Sequence, residues 1–193
     1  MWHFHTVAVV ATTSKDPHPY ASSPRGWLLD SRPVGVDLQN DIAPGEDGCQ
    51  TPPGETCLRQ VLALGNPAVW WLGAAALLVS LWRWVARRDW RFGVPLVAVA
   101  SGWLPWFRWD DRDLFLFYAV AFIPFTCAAL AMVMGVLLGL DGTGARRRGW
   151  GAAMVGLALA AVVACFAFFW PIWTDQLITN AEWQQRIWFD RWA

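Results

Sequence analysis

Four apolar runs, each flanked by tryptophan and arginine, organise the chain from residue 67 onward. The first opens at Trp70-Trp71 and closes on Trp82-Arg83-Trp84 and Arg87-Arg88. The second rises to Trp103, Trp106 and Trp109, and the third descends to Arg146-Arg147-Arg148. The fourth climbs from Trp150 to Trp170 and Trp173. Tryptophan concentrates at the membrane–water interface, and arginine-rich short loops stay in the cytoplasm. A helix needs roughly 20 apolar residues to cross a hydrocarbon core of about 30 Å. The pattern therefore predicts four transmembrane helices, at about 67–85, 92–109, 114–140 and 150–173. The second is short and carries Gly93, Pro95, Gly102 and Pro105. It is expected to be kinked and packed in protein rather than free in lipid.

The loops set the orientation. Arg83, Arg87, Arg88 and Arg91 lie between the first two spans, and Arg146 to Arg148 between the last two. Both loops are expected in the cytoplasm. The loop from Arg108 to Asp113, with two Arg against three Asp, then faces outward. Residues 1–65 and 174–193 fall on that outer side, so both termini are external and the chain is a multi-pass protein of the cell membrane. Prolines at 17, 19, 24, 33, 44, 52 and 53 punctuate residues 1–65, with Gly45, Gly48 and Gly54 among them. Long helices are not expected there, although Trp27, Leu28, Leu29 and Val34 can pack on a surface. The expected architecture is an all-α integral membrane protein. A loop-rich external segment (1–65) precedes a four-helix transmembrane domain (66–173) and an external C-terminal tail (174–193). The opening Met1-Trp2-His3-Phe4-His5 has no basic region, and Val7 to Ala11 is too short for a signal core. Delivery of residues 1–65 to the outside therefore implies further spans upstream, in a longer polypeptide of which this chain is the C-terminal piece.

Composition agrees with a lipid environment: 56% of residues are hydrophobic, 16 are Trp, and mean hydropathy is +0.31. The formal net charge is zero, which gives no reason to expect a nucleic-acid partner. Cys49 and Cys57 lie in the external segment, eight positions apart. An oxidising exterior favours a disulfide between them over two free or metal-bound thiols. Cys127 and Cys165 fall mid-span and read as small buried hydrophobes. Asp111-Arg112-Asp113 contains an Asp-x-Asp pattern, but in a short loop between spans it reads as a solvated turn rather than a metal site. His3 and His5, two apart, do not share a helix face, and with His18 they are not expected to bind metal. Gly139 to Gly144 lacks the Lys-Ser/Thr of a phosphate loop and reads as a helix stop. Arg112 stands out. It lies at the mouth of the helices, directly before Leu114-Phe115-Leu116-Phe117-Tyr118, and an ionisable residue near membrane depth is a functional candidate. Its guanidinium suits a phosphate; the alternative is an ion pair with Asp111 or Asp113.

Several blocks together resemble the protein O-mannosyltransferase family. They are His18-Pro19-Tyr20-x-Ser22, Trp27-Leu28 and Arg32-Pro33-Val34, then Leu62-Ala63-Leu64-Gly65-Asn66-Pro67 with Trp70-Trp71. Gly102-Trp103-Leu104-Pro105-Trp106-Phe107, Arg112-x-x-Phe115-x-Phe117-Tyr118, Pro124-Phe125, Phe168-Phe169-Trp170-Pro171 and the end at Trp183 to Phe189 continue in order. Arg25 departs, standing where the family commonly has an aromatic. The chain looks like the C-terminal four-span domain of the actinobacterial, polyprenyl-phosphate-mannose-dependent type. The resemblance implies the C-terminal part of a GT-C glycosyltransferase fold. It implies mannose transfer from polyprenyl-phosphate-mannose to Ser or Thr of exported polypeptides, with no cofactor beyond the lipid-linked donor. It strengthens the lipid-phosphate role of Arg112. The family's catalytic acidic residues lie in its first external loop, which nothing here matches. No catalytic residue is therefore expected in this chain, and on its own it is expected to be inactive. The rival reading is a non-catalytic four-span scaffold or regulatory subunit. A transporter is disfavoured, because the third and fourth spans carry no Asp, Glu, Lys or Arg.

Overall fold

The computed structural model describes residues 18–109, 112–139 and 145–193. Helix α1 covers Pro67–Arg87. It starts where Asn66 accepts the Val69 N–H at 3.3 Å, with Pro67 in the first turn, where its missing N–H is no loss. It stops at Arg88, which takes a left-handed conformation at φ 54°. A 3-10 turn at Trp90–Phe92 leads into α2, Gly93–Trp103, and a second at Leu104–Trp109 follows it. Pro105 has no N–H for the next α-helical bond, so α2 ends just before it. The 3-10 turn Leu116–Ala121 precedes α3, Ile123–Leu137. Helix α4 is the longest, Ala145–Trp173.

Among the described residues, two helices, Pro67–Arg87 and Arg148–Trp173, are long and apolar enough to cross a membrane. Only 11% of the apolar window of the second is buried, and Leu157 and Val163 are exposed on its surface. An apolar surface of that extent belongs in lipid or against other protein. The expected second and third spans are composite. Helix α3 has 15 residues, roughly 22 Å at 1.5 Å per residue, and α2 is shorter still. Their proline and 3-10 segments divide the apolar runs that looked continuous in the sequence.

The expectation of an all-α chain needs correction. Residues Val34–Ile42 form strand β1, Cys57–Ala63 form β2 and Ile178–Thr179 form β3, in one antiparallel sheet ordered β1-β2-β3. The prolines bound these strands rather than breaking them: Pro33 precedes β1, while Pro44, Pro52 and Pro53 lie between β1 and β2. Nor does the tail trail away. After β3, helix α5 at Asn180–Arg186 starts with Thr179 and Glu182 in a capping box, and Asn180 donates to Thr56 Oγ1 at 2.6 Å. Leu58, Leu62 and Leu64 pack with Phe169, Ile172, Ile178 and Trp192 in one core. The sheet thus covers the C-terminal end of α4. At the opposite end, α4 starts against the end of α3: a β-carbon on Gly151 would collide with the Leu137 carbonyl. The main helical core joins Trp27, Ala76, Leu77, Val99, Leu116, Phe122 and Ala129.

Candidate functional site

The turn Pro24–Leu29, followed by Asp30, precedes strand β1. Each carbonyl of so short a turn has two lone pairs, and indole, a donor only, can reach one that the backbone leaves open. Trp103 donates to Pro24 O (2.8 Å), Trp70 to Trp27 O (2.7 Å), Trp71 to Leu29 O (3.1 Å) and Trp192 to Asp30 O (2.9 Å). Four indoles from three distant parts of the chain therefore hold one turn. Trp27 itself is fully buried and donates to Ser22 Oγ at 2.9 Å.

This clamped turn leads to Arg112. The Trp27 ring meets Trp106 edge-on at 5.8 Å, and Trp106 stacks on Tyr118 at 4.5 Å. Arg112 Cζ lies 5.9 Å from the Trp106 ring and 5.6 Å from that of Trp109, within cation–π range. Its Nε is buried and makes no hydrogen bond among the described residues. Asp113, one of the carboxylates expected to compete for Arg112, does not pair with it; its Oδ2 accepts the His18 N–H at 3.1 Å. Ser22 N–H donates to Leu114 O at 2.7 Å, and His18 packs on Phe115 at 5.3 Å. The segment before β1 thus lies along the residues that follow Arg112. A half-buried guanidinium held on an aromatic ledge suits a phosphate through paired donors. Asp110, Asp111, His3, His5 and residues 140–144 lie outside the described residues.

Cys49 and Cys57 form a disulfide, Cα–Cα 5.8 Å, and pack with Ile42 and Leu177. That cluster is separate from the Arg112 ledge, so the site residues expected from sequence are not brought together. Cys127 and Cys165 are free and half-buried.

Sequence reasoning missed Asp30. Its carboxyl is fully buried, and neither oxygen makes a hydrogen bond among the described residues. Burial pushes its pKa up to about 7, and the Gly65 N–H, directed at the carboxyl without closing a bond of normal geometry, offsets part of the rise. Beside it lies a cleft of about 430 Å³ walled by Leu29, Trp71, Phe189, Arg191 and Trp192. An Asp between Leu29 and Ser31 looks like a solvated turn residue; only the docking of Trp192 encloses it.

The fold is similar to a solved assembly over the whole chain. The likeness is to the structure of the S. cerevisiae protein O-mannosyltransferase Pmt1-Pmt2 complex bound to the sugar donor, with a TM-score of 0.70 and 23% identity. It covers 100% of this chain and 25% of that one, and it establishes the architecture. Residues 1–192 match the family described as the C-terminal four TMM region of protein-O-mannosyltransferase, and the chain belongs to that family. Among its relatives are proteins named polyprenol-phosphate-mannose--protein mannosyltransferase. The one from Mycobacterium tuberculosis is 36% identical over 199 residues, covering 100% of this chain and 37% of that protein. The one from Mycolicibacterium smegmatis is 34% identical over 197 residues, again 100% and 37%. The one from Corynebacterium glutamicum is 35% identical over 198 residues, 98% and 36%. The chain thus spans little more than a third of the relatives it matches.

Proposed function

We propose that this chain is the C-terminal membrane portion of an enzyme that moves mannose from polyprenyl-phosphate-mannose to Ser or Thr hydroxyls of exported polypeptides. Family membership and the matched relatives support the class of reaction. In this reading α1, the 90–109 segment, the 116–137 segment and α4 cross the membrane in turn. Residues 1–65 and 174–193 lie outside, where the sheet and the clamped turn frame the outer surface.

The reaction breaks the bond between the sugar's C1 and the carrier phosphate oxygen and forms one from C1 to the acceptor oxygen, with inversion. The hydroxyl proton goes to a general base supplied by the upstream part of the enzyme. The departing phosphate gains negative charge, and Arg112 is the group here that stabilises it. The observation carrying this role is the hold of Trp106 and Trp109 on the Arg112 guanidinium, next to the outer loop where a lipid phosphate lies.

The test uses a full-length homologue carrying this segment. Arg112→Lys keeps the charge but loses the fork, so transfer should fall. Arg112→Ala should fall further, by roughly 10²-fold if about 3 kcal/mol of transition-state stabilisation is lost. The 193-residue chain alone, given polyprenyl-phosphate-mannose and a Ser/Thr-rich peptide, should give no product. Near-normal turnover of the Ala variant at normal membrane abundance would make Arg112 a packing residue.

A further inference from the structure

Residue 30 has two roles in one contact. It follows the Pro24–Leu29 turn in the left-handed region, at φ 56°, which Asp and Asn tolerate better than most side chains. Its backbone carbonyl accepts the Trp192 indole N–H at 2.9 Å. Its carboxyl is fully buried and makes no hydrogen bond among the described residues. The residue that latches the C-terminal segment therefore cannot ionise beneath it without leaving a bare charge in an apolar site.

The docked segment is lightly held. Asp190–Trp192 form one 3-10 turn, in which Asp190 and Arg191 are exposed and Trp192 is buried. Among the described residues, its hydrogen bond to the rest of the protein is that single indole. The backbone N–H groups of Trp192 and Ala193 bond locally, to Phe189 O and Asp190 O. The remaining hold is apolar: the Trp192 ring meets Phe169 at 6.0 Å and joins the core with Leu58 and Leu62. The cleft of about 430 Å³ borders both Asp30 and Trp192, so water has a route to the carboxyl once the ring shifts.

We propose that the Asp190–Trp192 turn is an acid-latched strap, docked over Asp30 while its carboxyl is protonated and released, opening the cleft, when that carboxyl ionises. Arg191 is the charged side chain that lines the cleft with Asp30; it is exposed, as is Asp190 before it. Beside the turn, Arg25 is exposed and Arg32 donates to Pro19 O. Residues 64–71 and 168–173, which also pack here, carry no charged side chain. Burial acts most on the carboxyl and the Gly65 N–H opposes it; no charged side chain is among the groups that shift it. The docked carboxyl titrates at about 7, and a released one returns to 3.8. Docking is therefore at full strength below about pH 3.8, weakens roughly tenfold per pH unit above it, and levels off above about 7. In the topology proposed above, the pH sensed is that outside the cell.

The test follows amide hydrogen exchange of residues 187–193 in the detergent-purified 193-residue chain between pH 4 and 8, as protection corrected for the intrinsic pH dependence of exchange. Protection should fall roughly tenfold per pH unit from about pH 4 to 7, until none remains or the curve levels. Amides of α1 should keep theirs. Asp30→Asn suits the same backbone conformation and cannot ionise, so its protection should stay flat. Arg191→Gln should leave the parent slope. Trp192→Phe keeps a ring but loses the latch, and should lower protection by a constant factor at every pH, which covers the case where Asp30→Asn does not fold. Flat protection in the parent overturns the proposal. So does a parent-like slope in Asp30→Asn, because another group would then titrate, or unchanged protection in Trp192→Phe. Parallel loss in α1 also overturns it, because the whole protein would then be opening rather than the strap.

Discussion

Asp30 concentrates an electrostatic penalty at one residue. A buried carboxyl without a hydrogen-bond partner strongly disfavours its charged form, and its pKa stands at about 7 instead of the usual 3.8. The folded state therefore holds this proton more tightly than the unfolded chain. The stability so contributed is fully present below about pH 3.8 and is lost as pH rises through about 7. At about 1.4 kcal/mol for each pH unit, that shift bounds the effect at about 4 kcal/mol. Asp30→Asn should match the parent near pH 4 and be more stable near pH 8, as followed by thermal unfolding in detergent. A difference that stays flat between those pH values would show that the carboxyl is solvated or paired. Residue-scale chemistry was only partly legible beforehand. Arg112 announced itself by charge next to an aromatic run, and its neighbours Trp106 and Trp109 were already visible as interface residues. Asp30 could not announce itself, because the residue that encloses it, Trp192, lies 162 positions away.

At the scale of elements, the tryptophans do more than mark an interface. Trp70, Trp71, Trp103 and Trp192 each place an indole N–H on the Pro24–Asp30 turn, tying α1, α2 and the C-terminal segment to it. The strands show why residues 1–65 read as loop. Val36 and Leu38 of β1 are exposed, so β1 has no buried face to give it an alternating signature. The pattern of β2, where Leu58, Gln60 and Leu62 are buried, makes sense only once α4 and β3 cover it. The hairpin carries its own test. Ile42 is registered opposite Cys57, and the Cys49–Cys57 bridge closes the loop that returns to β2. On chain-entropy grounds so short a loop is stabilised by about 2–3 kcal/mol. Non-reduced peptide mapping should recover one linked pair spanning Gln50 to Thr56, and Cys49→Ser with Cys57→Ser should lower the unfolding midpoint. Complete alkylation of both thiols without reductant would sink the bridge.

Across the whole molecule, charge and sheet agree on two ends. Residues 34–63 and 178–193 meet in one sheet and one core, although about 115 positions separate β2 from β3. Arg83, Arg87, Arg88 and Arg91 gather at the other end, where α4 begins against α3. Under the proposed four crossings, an even number, both flanking segments fall on one side, and the arginines would mark the side that faces the cytoplasm. That expectation was legible in the order of apolar runs. The lengths of the second and third segments were not, because 3-10 turns at Trp90–Phe92, Leu104–Trp109 and Leu116–Ala121 shorten their α-helices. The decisive measurement is accessibility in intact cells expressing a full-length protein with this segment. After mild reduction, an impermeant maleimide should modify Cys49 or Cys57. Thr143→Cys, placed between α3 and α4, should react only after permeabilisation. Modification of Thr143→Cys from outside would reverse the orientation, and with it the placing of Arg112 beside the outer leaflet.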